Sequence, residues 1–465
     1  LSEESLSRGG HALRLVLAIA SGGLYSLAFP PLGWGWLVVP AVAGLLIALH
    51  GQRGSRARAV GFLHGLTAFG VGLSWLYELF GALAVVLWFV LAFFPAMFAQ
   101  FQGLAAARGV KGWKFAVFTA LNWGAWEFIR AELFPLKFPW MTAGLAVGPN
   151  LLLPWIGVYA VGTIVVLAVA LAASRLWKLA LVPAAILLAA LFSNTRHPAV
   201  RPGDPGSVTL AGIQREEISL HEFLAETRKL PAGVPFVVWP EYAVPYDIRL
   251  DRDDWELVQQ LCRERGITLT FGTQWHPPEG PGWRNIALTL DATGVRGEHN
   301  KVHPVHFFND GKAGATAGAF ETAHGKIGTP VCFDCDYEAV VRRMTSAGAE
   351  FLVVPIMDAE SWTARQHDQH AELFRIRACE NGRWMFVSAT SGVSQVIDPN
   401  GQLHGRLGAM VEGTLTGSLK RETRLTFHTR LGWLTPWAVL AVAAGWWAAL
   451  LAGRRGTGRA RAGMA

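Results

Sequence analysis

Acidic residues are almost missing from the first 193 positions of this 465-residue chain. Glu3, Glu4, Glu78, Glu127 and Glu132 are the only ones there, and nearly all the others fall between residue 194 and about 430. So long a stretch without carboxylates excludes an ordinary water-exposed domain at the N-terminus. Charge of either sign is scarce overall, at 16% of residues, against 52% hydrophobic residues and a mean hydropathy of +0.30. Cysteine is scarce too. Of the four, only Cys332 and Cys335 stand close, and no second Cys pair or His pair occurs at metal spacing, so no metal site is expected and no organic cofactor is indicated.

Apolar runs, by contrast, are abundant. Seven N-terminal segments approach the roughly 20 residues needed to cross a hydrocarbon core, near 12–30, 33–50, 59–79, 82–104, 115–134, 151–173 and 178–193, and an eighth lies near 433–452. The first is long, lacks a clear small-x-small cleavage site and runs directly into Phe29-Pro30-Pro31, so it is expected to stay as a helix. Basic residues sit in alternate loops: Arg53, Arg56 and Arg58; Arg108, Lys111 and Lys114; Arg175 and Lys178; and Arg454, Arg455, Arg459 and Arg461 at the end. Because Lys and Arg collect in cytoplasmic loops, both termini are expected inside and residues 194–432 outside, in the periplasm of a bacterium. These loops account for most of the basic pI of about 9.4, which leaves no charge for a nucleic-acid partner. The expected organisation is a bundle over 1–193, a polar domain over 194–432, and a last helix with a basic tail over 433–465.

Within the bundle, Glu127 and Arg130 lie three apart, close enough to pair on one helix face. Pro135 and Pro139 break the helix that follows, and Trp140 is expected at headgroup depth in an outer loop, as an anchor or at a lipid entrance.

From Val208 the pattern changes to short β-rich runs alternating with amphipathic stretches. Strands are expected over 208–213, 236–239, 268–272, 285–290, 329–333, 351–356 and 384–389, with helices over 220–229, 253–265, 337–347 and 366–381. Such alternation indicates a layered α/β domain with its chemistry at strand ends. Reactive side chains stand in the order Glu241, Lys301, Cys332: Glu241 and Cys332 at two of those ends, and Lys301 in the further strand-like run Glu298-His299-Asn300-Lys301-Val302-His303. A lone Cys after a strand is more often a small buried hydrophobe, and a lone Glu or Lys a turn residue. Together they form a base, a cation and a thiol, the set a nucleophilic mechanism needs.

Trp239-Pro240-Glu241, Asn300-Lys301-x-His303 and Val331-Cys332-Phe333-Asp334 resemble the three motifs of the nitrilase, or carbon-nitrogen hydrolase, superfamily. Arg375-x-Arg377-Ala378-x-Glu380 and Asp398-Pro399-x-Gly401 extend the likeness. The membrane part narrows it: Pro30-Pro31-x-Gly33-Trp34, Ser74-Trp75-Leu76-Tyr77, Trp126-Glu127-x-x-Arg130, Phe138-Pro139-Trp140 and Gly157-Val158-Tyr159 look like the apolipoprotein N-acyltransferases, bacterial membrane enzymes that acylate lipoprotein N-termini. The resemblance implies a helical bundle of about eight transmembrane helices with a four-layer αββα domain. It implies Glu241 as general base, Lys301 as oxyanion stabiliser and Cys332 as nucleophile. A phospholipid would be acyl donor, a diacylated apolipoprotein acceptor, and membrane lipid the setting. Phe333, Asp334, Asn309, Asp310 and Trp140 are the expected substrate contacts.

The chain also departs from that pattern. The family's second carboxylate, a Glu eight residues after the Lys, is Asn309 here, with Asp310 beside it as the candidate substitute. Phe333-Asp334 replaces the family's Tyr-Glu. A Gly-Asn-x-x-Gln loop is missing after Gln214, and Met357-Asp358-Ala359-Glu360 stands where the family has Asn-Asp-x-Trp. Two other functions therefore stay open: a membrane-anchored amidase or acyltransferase with a different amine acceptor, and a catalytically silent relative that binds lipoprotein or lipid. The Gly- and Ala-rich loop 307–318 is where a lid is expected, and a disulfide is possible in an oxidising compartment.

Overall fold

A computed structural model describes residues 3–278, 280 and 282–453, with the side chains of 3–9 left aside. The expected basic tail at Arg454, Arg455, Arg459 and Arg461 lies outside the described residues. The chain divides into two compact units: Leu1–Gly148 with Ile156–Phe192 and Trp433–Ala465, and Pro149–Trp155 with Ser193–Gly432.

The first unit is helical. Each expected apolar segment falls on a helix, but only three helices among the described residues are long and apolar enough to span a membrane: Leu83–Ala107, Leu153–Ala173 and Gly432–Ala452. The count of eight is thus not reached on length and composition. Gly35–Leu49 and Trp177–Phe192 are apolar but short. Gly54–Gly72 is diluted by Arg56, Arg58, His64 and its glycines, and Gly112–Phe128 gives way to one π-helical turn, Ile129–Leu133. The glycines have a use: a Cβ on Gly61 would lie 2.3 Å from the carbonyl oxygen of Pro95, so the helices carrying them touch backbone to backbone. Glu127 and Arg130 are both held by the loop that follows them. Glu127 accepts from the amide of Ala143 at 2.8 Å and from the Tyr25 hydroxyl at 3.2 Å, and Arg130 donates to the carbonyls of Phe138 and Trp140. Trp140 is buried against Trp75 and Phe138, not displayed at a surface, because its backbone carbonyl ties the loop inward to Arg130.

Among the described residues the second unit is built on twelve strands: β1 (Ser207–Gln214), β2 (Phe236–Val238), β3 (Thr268–Trp275), β4 (Arg284–Asp291), β5 (Gly294–Asn300), β6 (Phe320–Thr322), β7 (Gly325–Gly328), β8 (Phe351–Ile356), β9 (Met385–Ala389), β10 (Ser394–Ile397), β11 (Leu403–Leu407) and β12 (Gly413–Lys420). They form two six-stranded sheets, β12-β1-β2-β3-β4-β5 and β11-β10-β9-β8-β7-β6. The two follow the same plan. β1, β2 and β3 run parallel with helices between them and β4 and β5 fold back as a meander; β7, β8 and β9 are parallel in the same way, with β10 and β11 folding back.

Strand periodicity assembles the layers. Leu210, Phe236 and Val238 point from the first sheet toward Phe351, Val353 and Phe386 of the second and form an apolar seam between them. Their neighbours Ala211, Val237 and Leu269 face the helices Leu220–Lys229 and Arg252–Arg265, while Leu352, Val354 and Val387 face Glu338–Ser346 and Ala364–Asn381. The result is an αββα stack, and strands buried on both faces explain why they read as continuous apolar runs. Helix ends are fixed locally. Ser219 and Glu222 form a capping box, Asp251 caps the helix after it, and Gly266 and Gly382 close helices with φ near +60°. The strand expected over 329–333 differs: β7 stops at Gly328, and Cys332–Asp336 winds into a 3₁₀ turn. β5, β11 and β12 escaped the sequence reading because their Gly-, Lys- and His-containing runs do not alternate cleanly, and β6 and β10 because they are only three and four residues long.

Candidate active site

Glu241, Lys301 and Cys332 line one cleft of about 400 Å³ in the second unit, although they come from different sheets. Glu241 follows β2. The indole of Trp239 is anchored by a bond from its Nε1 to Thr227 Oγ1 at 2.9 Å, and Pro240 then turns the chain across β3. The crossing is close: a Cβ on Gly272 would lie 2.5 Å from both Glu241 Cα and Tyr242 N, so only glycine fits. Lys301 continues the ladder past β5, its amide donating to Asn285 O at 2.9 Å. Cys332 opens the 3₁₀ turn with φ +48°, an uncommon conformation for a residue with a Cβ and one that clusters at functional sites.

The polar atoms interlock. Glu241 Oε1 accepts from Lys301 Nζ at 2.8 Å and from Asn285 Nδ2 at 2.6 Å, and Oε2 accepts from the amide of Met357 at 2.8 Å. The carbonyl of that same Met357 faces Cys332 Sγ at 3.6 Å. Asp310 is the second carboxylate. It lies 2.8 Å from Lys301 Nζ and accepts from Asn285 Nδ2, Tyr242 Oη and the amide of Val305. Asn309 lines the cleft beside it, with Trp283, Phe308 and Trp362 as apolar wall.

Burial and charge set the protonation of this cluster. Burial raises Glu241, and Asp310 adds to the effect while Lys301 opposes it, so the carboxylate is a better base than usual. For Lys301 burial works against the charge, yet Glu241 and Asp310 prevail and hold the ammonium well above its ordinary range. Burial would raise Asp310, but the Lys301 cation and hydrogen bonds keep it below the usual carboxylate value. The Cys332 thiol is pushed well up, first by burial and then by the Glu241 charge. It therefore rests as a neutral thiol next to a base.

Three expected contacts are not among the residues that line the cleft. Asp334 is fully buried beneath the turn, where its carboxylate accepts from the amides of Val302, His303 and Val331 and meets His299 Nε2 at 2.9 Å. Its oxygens are taken up by these amides and by His299, so it braces the Lys301 and Cys332 segments. Phe333 stands outside the lining of the cleft, against Tyr337 and His306. Trp140 belongs to the other unit. All four cysteines are free and buried, and Cys335 is packed into the apolar core behind the turn, where burial also raises its thiol. Asn285 and the Met357 peptide were not singled out from the sequence. An Asn opening a strand next to a predicted cluster is the one signal that pointed to the former.

Asp334 carries a prediction. Burial opposes its charge, but its hydrogen bonds and His299 hold it below the usual carboxylate value. A depressed carboxylate contributes stability that is present above the unfolded value near ~3.9 and is lost as pH falls through the folded one. Asp334→Asn is expected to cost about 2 kcal/mol or more at pH 7 and to flatten the acid limb of a plot of denaturant midpoint against pH. An unchanged acid limb would refute the assignment.

Comparisons with known proteins agree with this architecture. Residues 21–171 match the model of the apolipoprotein N-acyltransferase N-terminal domain, and residues 217–426 match that of the carbon-nitrogen hydrolases. Proteins named apolipoprotein N-acyltransferase from Methylococcus capsulatus and Geobacter metallireducens are 28% and 26% identical, over 93% and 92% of this chain and 94% of each of theirs. This chain is similar to the apolipoprotein N-acyltransferases over nearly its whole length. Its carbon-nitrogen hydrolase part is also similar to Saccharomyces cerevisiae Nit3 of the nitrilase superfamily, at 19% identity and a TM-score of 0.42 over 49% of this chain and 94% of that one.

Proposed function

We propose that the protein moves a fatty acyl chain from a phospholipid, through a thioester on Cys332, to the N-terminal amine of a diacylglyceryl-Cys apolipoprotein. The observation that carries this reading is Glu241, bonded at 2.8 Å both to Lys301 Nζ and to the Met357 amide whose carbonyl faces Cys332 Sγ. Glu241 takes the thiol proton as Sγ attacks the donor's ester carbonyl, and Lys301 stabilises the oxyanion. The C–O bond breaks, and Glu241 returns the proton to the departing lysophospholipid. The acceptor amine then attacks the thioester, Glu241 takes its proton, and the C–S bond breaks to restore the thiol. The Trp283, Phe308 and Trp362 wall suits an acyl chain and disfavours water as a rival acceptor, with Asn309 at its polar edge.

The setting belongs to the same reading: a multi-pass protein of the bacterial inner membrane, with about eight spans, the sheet unit in the periplasm and the C-terminus in the cytoplasm. Alternating basic loops support it, and helices too short or too polar alone are tolerated inside a bundle.

Intact-mass spectrometry after incubation with phospholipid alone tests the chemistry. An acyl-sized increase is expected, lost in Cys332→Ala and discharged by a diacylated lipopeptide with an amide-linked product. An adduct only with a small amide would indicate an amidase. No adduct from any donor would indicate a silent binding protein.

A further inference from the structure

Behind the thiol, outside the cluster of Glu241, Lys301 and Asp310, lies a second set of buried charges. His370, on the helix Ala364–Asn381, places Nδ1 2.8 Å from Asp358 Oδ1 and Nε2 3.1 Å from Asp336 Oδ1, and all three side chains are buried. Asp336 ends the turn that Cys332 begins, and Asp358 follows Met357, whose peptide touches both Glu241 and Cys332. A ring nitrogen of His370, a carboxylate oxygen of Asp358 and Cys332 Sγ all lie within 4.8 Å of one another. Such a trio has metal-ligand chemistry, but both imidazole nitrogens already face carboxylates, which favours a proton on each.

We propose that His370 is a positioning residue: a buried cation that clamps the Cys332–Asp336 turn to the Met357–Asp358 loop and cancels the Asp358 charge next to the thiol. The inference rests on Cys332 being the nucleophile. Its effect is double. The clamp fixes the Met357 peptide between base and thiol, and its charge keeps the Asp358 carboxylate from disfavouring a thiolate 4.8 Å or less away. The groups facing His370 are Asp336 and Cys332 from the turn, Asp358 from the loop, and the Phe374 ring on its own helix; His367 on that helix meets the Ala359 carbonyl at 3.0 Å, and Arg377 further along donates to the carbonyls of Cys335 and Asp336. Burial would lower His370, but Asp358 and Asp336 push it up to about 10, so the clamp stays charged at neutral pH.

The test is the rate of iodoacetamide alkylation of Cys332 across pH, read by peptide mass spectrometry, with Cys332→Ala to identify the peptide. His370→Gln leaves Asp358 uncompensated, and alkylation at pH 7 to 8 is expected to slow by roughly tenfold, with its inflection moved to higher pH. Asp358→Asn leaves the His370 cation in place and is expected to do the opposite, accelerating alkylation and moving the inflection down. The double variant is expected to lie near the parent. A structural role alone would make the double variant at least as impaired as the worse single one, and that outcome overturns the proposal. If His370→Gln does not fold, Asp358→Asn still decides: slower or unchanged alkylation refutes the charge argument. Because alkylation needs no lipid, failure here is separate from failure of the acyl-transfer reading, which would show as a missing phospholipid adduct with this order of rates intact.

Discussion

Lys301→Met is expected to reduce acyl transfer by about a thousandfold or more and to destabilise the sheet unit by about 3–5 kcal/mol. Both effects have one origin. The Lys301 ammonium is buried between Glu241 and Asp310, 2.8 Å from each. Removing it leaves two carboxylates in a low-dielectric site with no counter-charge, and one must take up a proton or the loop must open. A protonated Glu241 cannot accept from the thiol, and the oxyanion loses its cation, so chemistry suffers twice. The double variant Lys301→Met/Asp310→Asn separates the two effects. It is expected to regain much of the denaturant midpoint while staying inactive in a lysophospholipid-release assay. Recovery of transfer together with stability would show that Lys301 only balances charge.

Gly272→Ala is the second large effect, and it comes from a residue without a side chain. Its Cβ would sit 2.5 Å from Glu241 Cα and 2.9 Å from Glu241 C, with no flexible side chain to give way. β3 is pinned there, since Gly272 N donates to Pro240 O at 3.0 Å and its carbonyl accepts from Val244 N at 3.1 Å. The Glu241 segment must shift instead. A displacement of about 1 Å costs roughly a hundredfold in rate, with about 1–3 kcal/mol of strain. Gly318→Ala, where an added Cβ meets nothing within 4 Å, serves as control. Transfer rates within threefold of the parent for Gly272→Ala would refute the argument.

How much of this was legible in the sequence depends on what each residue's chemistry shows locally. The αββα layering was implied by the family resemblance, and the central strands announced themselves as apolar runs because both their faces are covered. Glu241, Lys301 and Cys332 stood out as reactive groups at strand ends; that they meet in one cleft is a property of the fold. Asp310 was legible only as a neighbour of Asn309, and its place on Lys301 depends on how the loop from Lys301 to Ala319 folds back. Asp334 was expected as a substrate contact from its place in the family motif after the thiol; that backbone amides from two segments converge on it is a property of the fold. Trp140 was expected at a membrane interface because an aromatic in a proline-broken loop suggests one; that its side chain is buried, with the loop tied inward by Arg130, appears only in the structure. His370 gave no signal, since its partners lie 12 and 34 positions away. The count of spans exceeded what helix length supports because hydropathy does not see where glycine, arginine and a π turn shorten or dilute a helix.

Base and cation come from one sheet and thiol from the other, so the reactive geometry depends on how the two sheets are registered. That registration is pinned at the centre of the seam. Ser388 Oγ donates across to Val238 O at 3.1 Å, and Gly212 lets the sheets approach so closely that an added Cβ would lie 2.8 Å from the Phe386 ring. A slip of the layers by a fraction of an ångström would leave every strand paired and every helix intact while parting donor from acceptor. Mild heat or pressure is therefore expected to abolish activity by sliding the layers before the protein melts, with the far-ultraviolet spectrum unchanged at that point.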